Sequence, residues 1–118
     1  MTDKVYTYRA PRYYADFRFL LQLLDPRPKI FEARCTELSE NGLAAEVNAP
    51  LAEGTQVTMI LTLPDSQRSM RIDASVTNLL RGSYGFAFVS PSADTQCYLR
   101  NYLESHCSNM VRSPEVYG

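Results

Sequence analysis

The chain has 118 residues, with 12 basic and 13 acidic side chains and a formal net charge of −1 at pH 7. This length is sufficient for one domain with a single hydrophobic core, and the balanced charge disfavours a nucleic-acid polymer as the partner. The three cysteines include no C-x-x-C pair and no long apolar segment is present, so we expect reduced thiols, a cytoplasmic location and no insertion into a membrane.

The first elements in chain order are a leader and a strand. We expect residues 1–14 to form a flexible leader and Ala15–Leu24 to form the first strand. The apolar run over residues 19–24 also fits a helix by periodicity alone. Two prolines within residues 25–28 end this segment.

Five further strands are predicted from alternating apolar residues and from the Gly, Pro, Asp or Ser residues that separate them. They run over Ile30–Leu38, Leu43–Val47, Val57–Leu63, Met70–Leu79 and Tyr84–Val89. In the second strand, simple alternation places Glu37 on the same face as Cys35. Six short strands predict a sheet that closes on itself.

A helix is predicted after Pro91, with Ser92 as its N-cap and Asp94 in its first turn, where a negative charge suits the helix dipole. Four side chains at helical spacing form one face that would cover an open end of a barrel: Tyr98, Leu99, Tyr102 and Leu103. The predicted fold is all-β with a terminal helix: a six-stranded antiparallel β-barrel plus C-terminal α-helix over residues 15–107, followed by an irregular tail over residues 108–118.

Two short motifs carry the candidate chemistry. The first is Tyr8-Arg9-Ala10-Pro11-Arg12 in the leader, and the second is Glu37-Leu38-Ser39-Glu40-Asn41-Gly42 between the second and third strands. Taken alone, Ser-Glu-Asn-Gly is an ordinary hairpin turn, and arginines near an N-terminus are ordinary in a solvated leader. Arginine nevertheless presents a planar fork of donors that can meet a phosphate or a guanine edge bidentately.

The order and spacing of these motifs, together with a later Gly85-Phe86-Ala87-Phe88 strand, resemble the PilZ domain, the bacterial receptor module for cyclic di-GMP. The pattern of that family is Arg-x-x-x-Arg followed by Asp or Asn-x-Ser-x-x-Gly. Arg12, Ser39 and Gly42 match it, and Arg9 matches a frequent extra arginine. Tyr8 stands in place of the first arginine, and Glu37 in place of Asp or Asn. The resemblance covers nearly the whole chain.

The resemblance implies a non-catalytic receptor or adaptor that binds cyclic di-GMP, needs no other cofactor, and relays the signal to an unidentified effector protein controlling motility or biofilm. The ligand-binding residues that it implies are Tyr8, Arg9, Arg12, Glu37, Ser39 and Gly42. The arginines would clamp phosphate and guanine and Tyr8 would stack. Ser39 would supply a hydrogen bond, Glu37 would accept from a guanine or steady Arg12, and Gly42 would permit a positive φ or a close backbone approach.

The two departures from the family pattern favour an alternative. Loss of the arginine at Tyr8 and the longer carboxylate stem at Glu37 are consistent with a PilZ-like protein that no longer binds cyclic di-GMP. Such a protein would act as a protein-interaction module, for example in type IV pilus or flagellar regulation. Apolar residues near both termini leave a homodimer open: Val5, Tyr6, Val116 and Tyr117.

No residue pattern indicates an enzyme or a metal site. His106 is the single histidine and is expected as a cation at the helix end. Its neighbour Cys107 would point about 100 degrees away on a helix, so the two would share neither a proton nor a zinc ion. Aromatic and basic residues in the leader would suit a single-stranded nucleic-acid platform, but the charge balance does not support that function.

Overall fold

A computed structural model describes residues 11–24, 27–80 and 82–106 of the chain. Within these residues, antiparallel strands form a closed barrel in the order β1-β2-β3-β6-β5-β4, and one helix follows the last strand. The elements are β1 (Tyr13–Leu23), β2 (Lys29–Leu38), β3 (Gly42–Val47), β4 (Gln56–Thr62), β5 (Ser69–Leu80), β6 (Ser83–Phe88) and α1 (Ala93–His106). The predicted fold class is confirmed.

The ambiguous first segment is a strand. Its burial has a period of two, with Phe19 and Leu21 buried and Leu20 between them exposed. The strand begins at Tyr13, two residues earlier than predicted, because Tyr13 and Tyr14 pair with the last two residues of β2. At its other end β1 also pairs with β4, which closes the barrel.

The inward side chains of all the strands meet in one core, and α1 covers one end of it. Leu99 and Leu103 of the helix are 0% and 2% exposed, and Tyr98 and Tyr102 pack against the same cluster. The predicted helical face is therefore confirmed. The predicted N-cap is also confirmed, because the Ser92 hydroxyl accepts a hydrogen bond from the Thr95 amide at 3.1 Å.

A β-bulge near the end of β2 changes which face Glu37 occupies. Cys35 pairs with Ala45 and Glu37 pairs with Ala44, so Thr36 is an extra residue in this strand. Cys35 and Leu38 both point into the core with no exposed surface, whereas Glu37 reaches the surface. The prediction that Glu37 shares a face with Cys35 was wrong, because simple alternation does not include the bulge.

Gly42 is required by a close backbone approach between β3 and β6. A Cβ atom on Gly42 would lie 2.3 Å from the carbonyl oxygen of Phe86, which is closer than atoms in contact can lie. Among the described glycines, the left-handed φ angles belong to Gly54 and Gly82. Of the two roles expected for Gly42, the structure shows the close approach.

We predict that Gly42→Ala lowers the free energy of unfolding by about 1–3 kcal/mol, the usual cost of overpacking, measured by urea denaturation. Gly85→Ala is the matched control. Its new Cβ would meet the side-chain oxygens of Asn78 and Thr77 at 2.5 and 2.9 Å, and these exposed side chains can rotate away. Both variants replace glycine by alanine and so reduce the conformational entropy of the unfolded chain alike, and this effect cancels when the two are compared. Equal destabilisation by the two substitutions would contradict the backbone origin of the effect.

Candidate functional site

Arg12 and Glu37 meet where the chain enters the barrel. Arg12 directly precedes β1, and the pairing of Tyr13 with Leu38 places it beside the end of β2. Its Nη1 atom lies 3.2 Å from Oε1 of Glu37, and the two side chains are 33% and 28% exposed. Glu37 thus holds Arg12, one of the two roles expected for it. Tyr8 and Arg9 lie outside the described residues.

Ser39 organises the turn that joins β2 to β3. Its hydroxyl oxygen accepts hydrogen bonds from the amides of Asn41 and Gly42, both at 3.1 Å, and donates to the Gly42 carbonyl at 3.2 Å. The Ser39 amide also donates to that carbonyl, at 2.9 Å. A hydroxyl has one hydrogen and two lone pairs, so the turn uses all of them. A ligand contact from Ser39 would require one of these bonds to break.

The two residues at the tip of the turn contact α1. Two nitrogens of Arg100 donate hydrogen bonds to the Glu40 carboxylate: Nη2 lies 2.9 Å from Oε1, and Nε lies 3.3 Å from Oε2. These hydrogen bonds raise the pKa of the Arg100 guanidinium. Beside them, Gln96 donates to the Asn41 side-chain oxygen at 2.9 Å. The Asn41 carbonyl accepts from the Phe88 amide at 2.9 Å, so β6 holds the tip as well.

These helix residues were not predicted from the sequence to be part of the site. Gln96 and Arg100 are four residues apart and therefore lie on one helix face. That spacing was the available signal, but the sequence does not show that this face lies over the turn.

The seating of α1 depends on contacts other than the turn. Leu99 and Leu103 are buried in the barrel mouth, and burying a leucine contributes about 1.5–3 kcal/mol. Tyr98 adds a hydrogen bond between its hydroxyl and that of Ser66, and the Arg68 guanidinium lies 4.6 Å from the centre of the Tyr98 ring. An ion pair with a half-exposed arginine contributes less than this burial. The burial of these leucines therefore holds the helix more strongly than its contacts to the turn do.

As formed by the described residues, the site is an open surface and not a closed pocket. A crevice of about 100 Å³ separates the start of β1 from α1, and it is lined by Pro11, Tyr13, Glu40, Arg100, Leu103 and Glu104. Small-molecule pockets that enclose their ligands usually have volumes of about 300–1,000 Å³. A ligand as large as a dinucleotide must lie across this surface.

Two larger cavities lie away from the turn. One of about 360 Å³ follows the outer faces of β1, β2 and β3 and is lined in part by Arg18 and Arg34. Both arginines are already in ion pairs, Arg18 with Glu32 and Arg34 with Asp16 and Glu46. The other, of about 390 Å³, lies between β4, β5 and the start of α1. Neither cavity is lined by a residue of the two sequence motifs.

No group of three or more His, Cys, Asp or Glu side chains in the described ranges could hold a metal ion. His106 stacks on Tyr102 with ring centroids 4.5 Å apart at the end of α1, and Cys107 lies outside the described residues. In the same ranges, no helix has the length and apolar character needed to cross a membrane.

Comparison with known proteins places these features in a family. A family model described as the PilZ domain matches residues 8–105. The fold is similar to the PilZ domain of CeSA from a cellulose-synthesizing bacterium, with a TM-score of 0.61 and 17% identity over 80% of this chain and 95% of that chain. It is similar to the PilZ domain of YcgR from Escherichia coli with c-di-GMP, with a TM-score of 0.66 and 18% identity over 83% of this chain and 89% of that chain.

A third similar structure is the Bacillus subtilis inhibitor of motility, MotI/DgrA. Its TM-score is 0.67 at 15% identity, over 87% of this chain and 52% of that chain. At these identities the structural likeness establishes the fold alone. No curated protein matches the chain.

We predict that Ser39→Ala lowers the free energy of unfolding by about 1–3 kcal/mol, because the part-buried hydrogen bonds that its hydroxyl accepts from the Asn41 and Gly42 amides are lost. Urea denaturation measures the change. Ser83→Ala is the control, since that hydroxyl donates a single bond of 3.3 Å to the Ala45 carbonyl, and its loss should cost less than about 1 kcal/mol. A Ser39→Ala variant as stable as the control would show that the turn does not depend on this hydroxyl.

Proposed function

The chain belongs to the PilZ domain family, and we propose on that premise that it is a non-catalytic receptor or adaptor that binds cyclic di-GMP and relays the signal to an effector protein. One observation carries the proposal: the Arg12–Glu37 pair stands beside the Ser39–Gly42 turn at one end of the barrel. The fold thereby brings Arg12 of the first motif next to the second motif, residues 37–42. One of the structural neighbours is a PilZ domain with c-di-GMP.

Arg12 supplies the central charge of the proposed site. Cyclic di-GMP presents two phosphates and guanine edges rich in acceptors, and a guanidinium group has five N–H donors with which to meet them. The ion pair with Glu37 engages one nitrogen, Nη1. Glu37 therefore fixes the direction of the guanidinium while its other nitrogens remain for the ligand, which reduces the entropy lost on binding.

The leader completes the site in this proposal. Because the surface around the turn is open, the ligand lies across it and the leader closes over the ligand, an order-forming transition of a known type. Arg9 adds a second cation and Tyr8 stacks on a guanine. Glu37 also accepts from a guanine N–H. Ser39 and Gly42 act by shaping the turn, since the Ser39 hydroxyl is used within it.

The cellular process that this receptor would control is proposed from its family. We place the receptor in the cytoplasm, acting through a protein effector on motility or biofilm. One similar structure is an inhibitor of motility. The near-neutral charge of the chain means that the ligand is attracted by the local arginines and not by the field of the whole protein.

We predict that isothermal titration detects cyclic di-GMP binding with a low-micromolar or tighter Kd. Arg12→Ala should weaken it thirtyfold or more, about 2 kcal/mol, because a charge-assisted contact is lost. The loss of unfolding free energy should stay below about 1 kcal/mol, since the Arg12–Glu37 pair is partly exposed. Arg18→Ala is the matched control: it also removes an arginine paired with a glutamate, at 3.1 Å, and should leave the Kd within about twofold.

Two results would contradict the proposal. Unchanged affinity in Arg12→Ala would remove Arg12 from the site. An absence of heat with the wild-type protein up to about millimolar ligand, where binding is worth only about 4 kcal/mol, would reject cyclic di-GMP as the ligand. That second result would favour the alternative, a PilZ-like protein-interaction module, for which the tyrosine at position 8 is the motivating residue.

A further inference from the structure

The two variable positions of the Ser-x-x-Gly turn are both held by α1. Glu40 accepts two hydrogen bonds from Arg100, and Asn41 accepts one from Gln96. We propose that Gln96 and Arg100 are positioning residues of the ligand site, which hold the Ser39–Gly42 turn in the conformation that the ligand meets. The ligand part of this inference rests on the proposed function.

The contacts that hold α1 in place are separate from those between α1 and the β2–β3 turn. Leu99 and Leu103 bury the helix in the barrel mouth, and Tyr98 is held by Ser66 and Arg68 from the connection between β4 and β5. These contacts involve the core and that connection, and do not depend on the turn. Because these contacts hold α1, Gln96 and Arg100 are anchored independently of the turn and can set the position of its tip.

The contact between Glu40 and Arg100 is the stronger of the two that join the turn to α1. The Glu40 side chain is only 13% exposed, and a carboxylate so enclosed needs a charged partner. A two-nitrogen contact with a guanidinium restricts both distance and angle, so it fixes the tip more closely than a single contact would. In Arg100→Ala, the carboxylate would turn towards water and the tip of the turn would follow it.

The position of Glu40 affects the rest of the site through neighbouring residues. Glu40 follows Ser39, whose hydroxyl orders the next two amides. It lies three residues after Glu37, the partner of Arg12. The crevice that Arg100 lines is also lined by Pro11, the neighbour of Arg12. A ligand that contacts both Arg12 and the turn therefore requires the spacing between them to be correct before it binds.

The first test measures the turn without ligand. Amide hydrogen exchange should be about tenfold faster at Gly42 and Phe88 in Arg100→Ala, equivalent to about 1.4 kcal/mol of local opening, because these amides bond Ser39 Oγ and the Asn41 carbonyl. Arg68→Ala is the matched control. It removes another helix-binding arginine, with a side chain 49% exposed against 50% for Arg100. Exchange at Gly42 and Phe88 should not change in the control, because the burial of Leu99 and Leu103 contributes more to holding α1 than the exposed Arg68 does.

The second test measures the Kd of cyclic di-GMP by isothermal titration. Arg100→Ala should weaken binding about three- to tenfold, and Arg68→Ala less than twofold. Glu40→Ala distinguishes positioning from direct contact with the ligand. If Arg100 acts by holding Glu40, then Glu40→Ala lowers affinity equally and the double variant is no weaker than either single one. If Arg100 instead contacted the phosphate, Glu40→Ala would release it and affinity would be kept or increased.

The outcomes separate this inference from the proposed function. Wild-type-like exchange in Arg100→Ala would overturn it, as would wild-type affinity in Arg100→Ala while Arg12→Ala abolishes binding. In that second case the proposed function would stand without the positioning role. A wild-type protein that does not bind cyclic di-GMP would reject both the proposed function and the ligand part of this inference.

Discussion

The close pairing of β3 with β6 is the constraint on which the rest of the structure depends. Around the barrel, β1-β2-β3 and β4-β5-β6 are each joined by sequential hairpins, and the β3–β6 and β1–β4 pairings unite these two halves. Gly42 allows the backbones to approach where a Cβ atom would meet Phe86. Since α1 follows β6 after a short connection, the place of β6 also sets the place of the helix over the β2–β3 turn. One backbone contact thus brings the turn and the helix together.

Electrostatics at this end of the barrel are local and already balanced. Arg12 is paired with Glu37, and Arg100 with Glu40. Such pairs contribute little to stability when they are exposed to water, but they fix the directions of donor groups. In the proposed receptor these pairs would act by orientation: a protein with almost no net charge can still offer an anion a guanidinium held in one direction. The larger groove beside Arg34 is a weaker candidate, because Asp16 and Glu46 engage two nitrogens of Arg34 whereas Glu37 engages one nitrogen of Arg12.

Much of the fold was predictable, because strand alternation and turn residues are local properties of the sequence. The boundaries moved by only a few residues, and the Ser92 cap and the buried Leu99 and Leu103 lie where helical periodicity placed them. Glu37 was misplaced because a bulge adds one residue to the alternation, and no local signal marked Thr36 as that residue.

The candidate site was less predictable, because its contacts join residues far apart in the chain. The family resemblance indicated Arg12 and the turn, but Arg100 is 60 residues from Glu40 and Gln96 is 55 from Asn41. Only the folded arrangement shows which face of α1 lies over the turn. The internal use of the Ser39 hydroxyl was equally hidden, since the same serine can bond its own turn or a ligand.

We propose that cyclic di-GMP binds at the end of the barrel formed by Arg12, the β2–β3 turn and α1. The most direct test is a titration of the isotope-labelled protein with cyclic di-GMP, followed by amide chemical shifts in NMR spectra. We expect the largest shifts at Arg12, Glu37 and Ser39–Gly42, with small changes along the groove that contains Arg18 and Arg34. An absence of shifts, or shifts concentrated in that groove, would contradict the proposal.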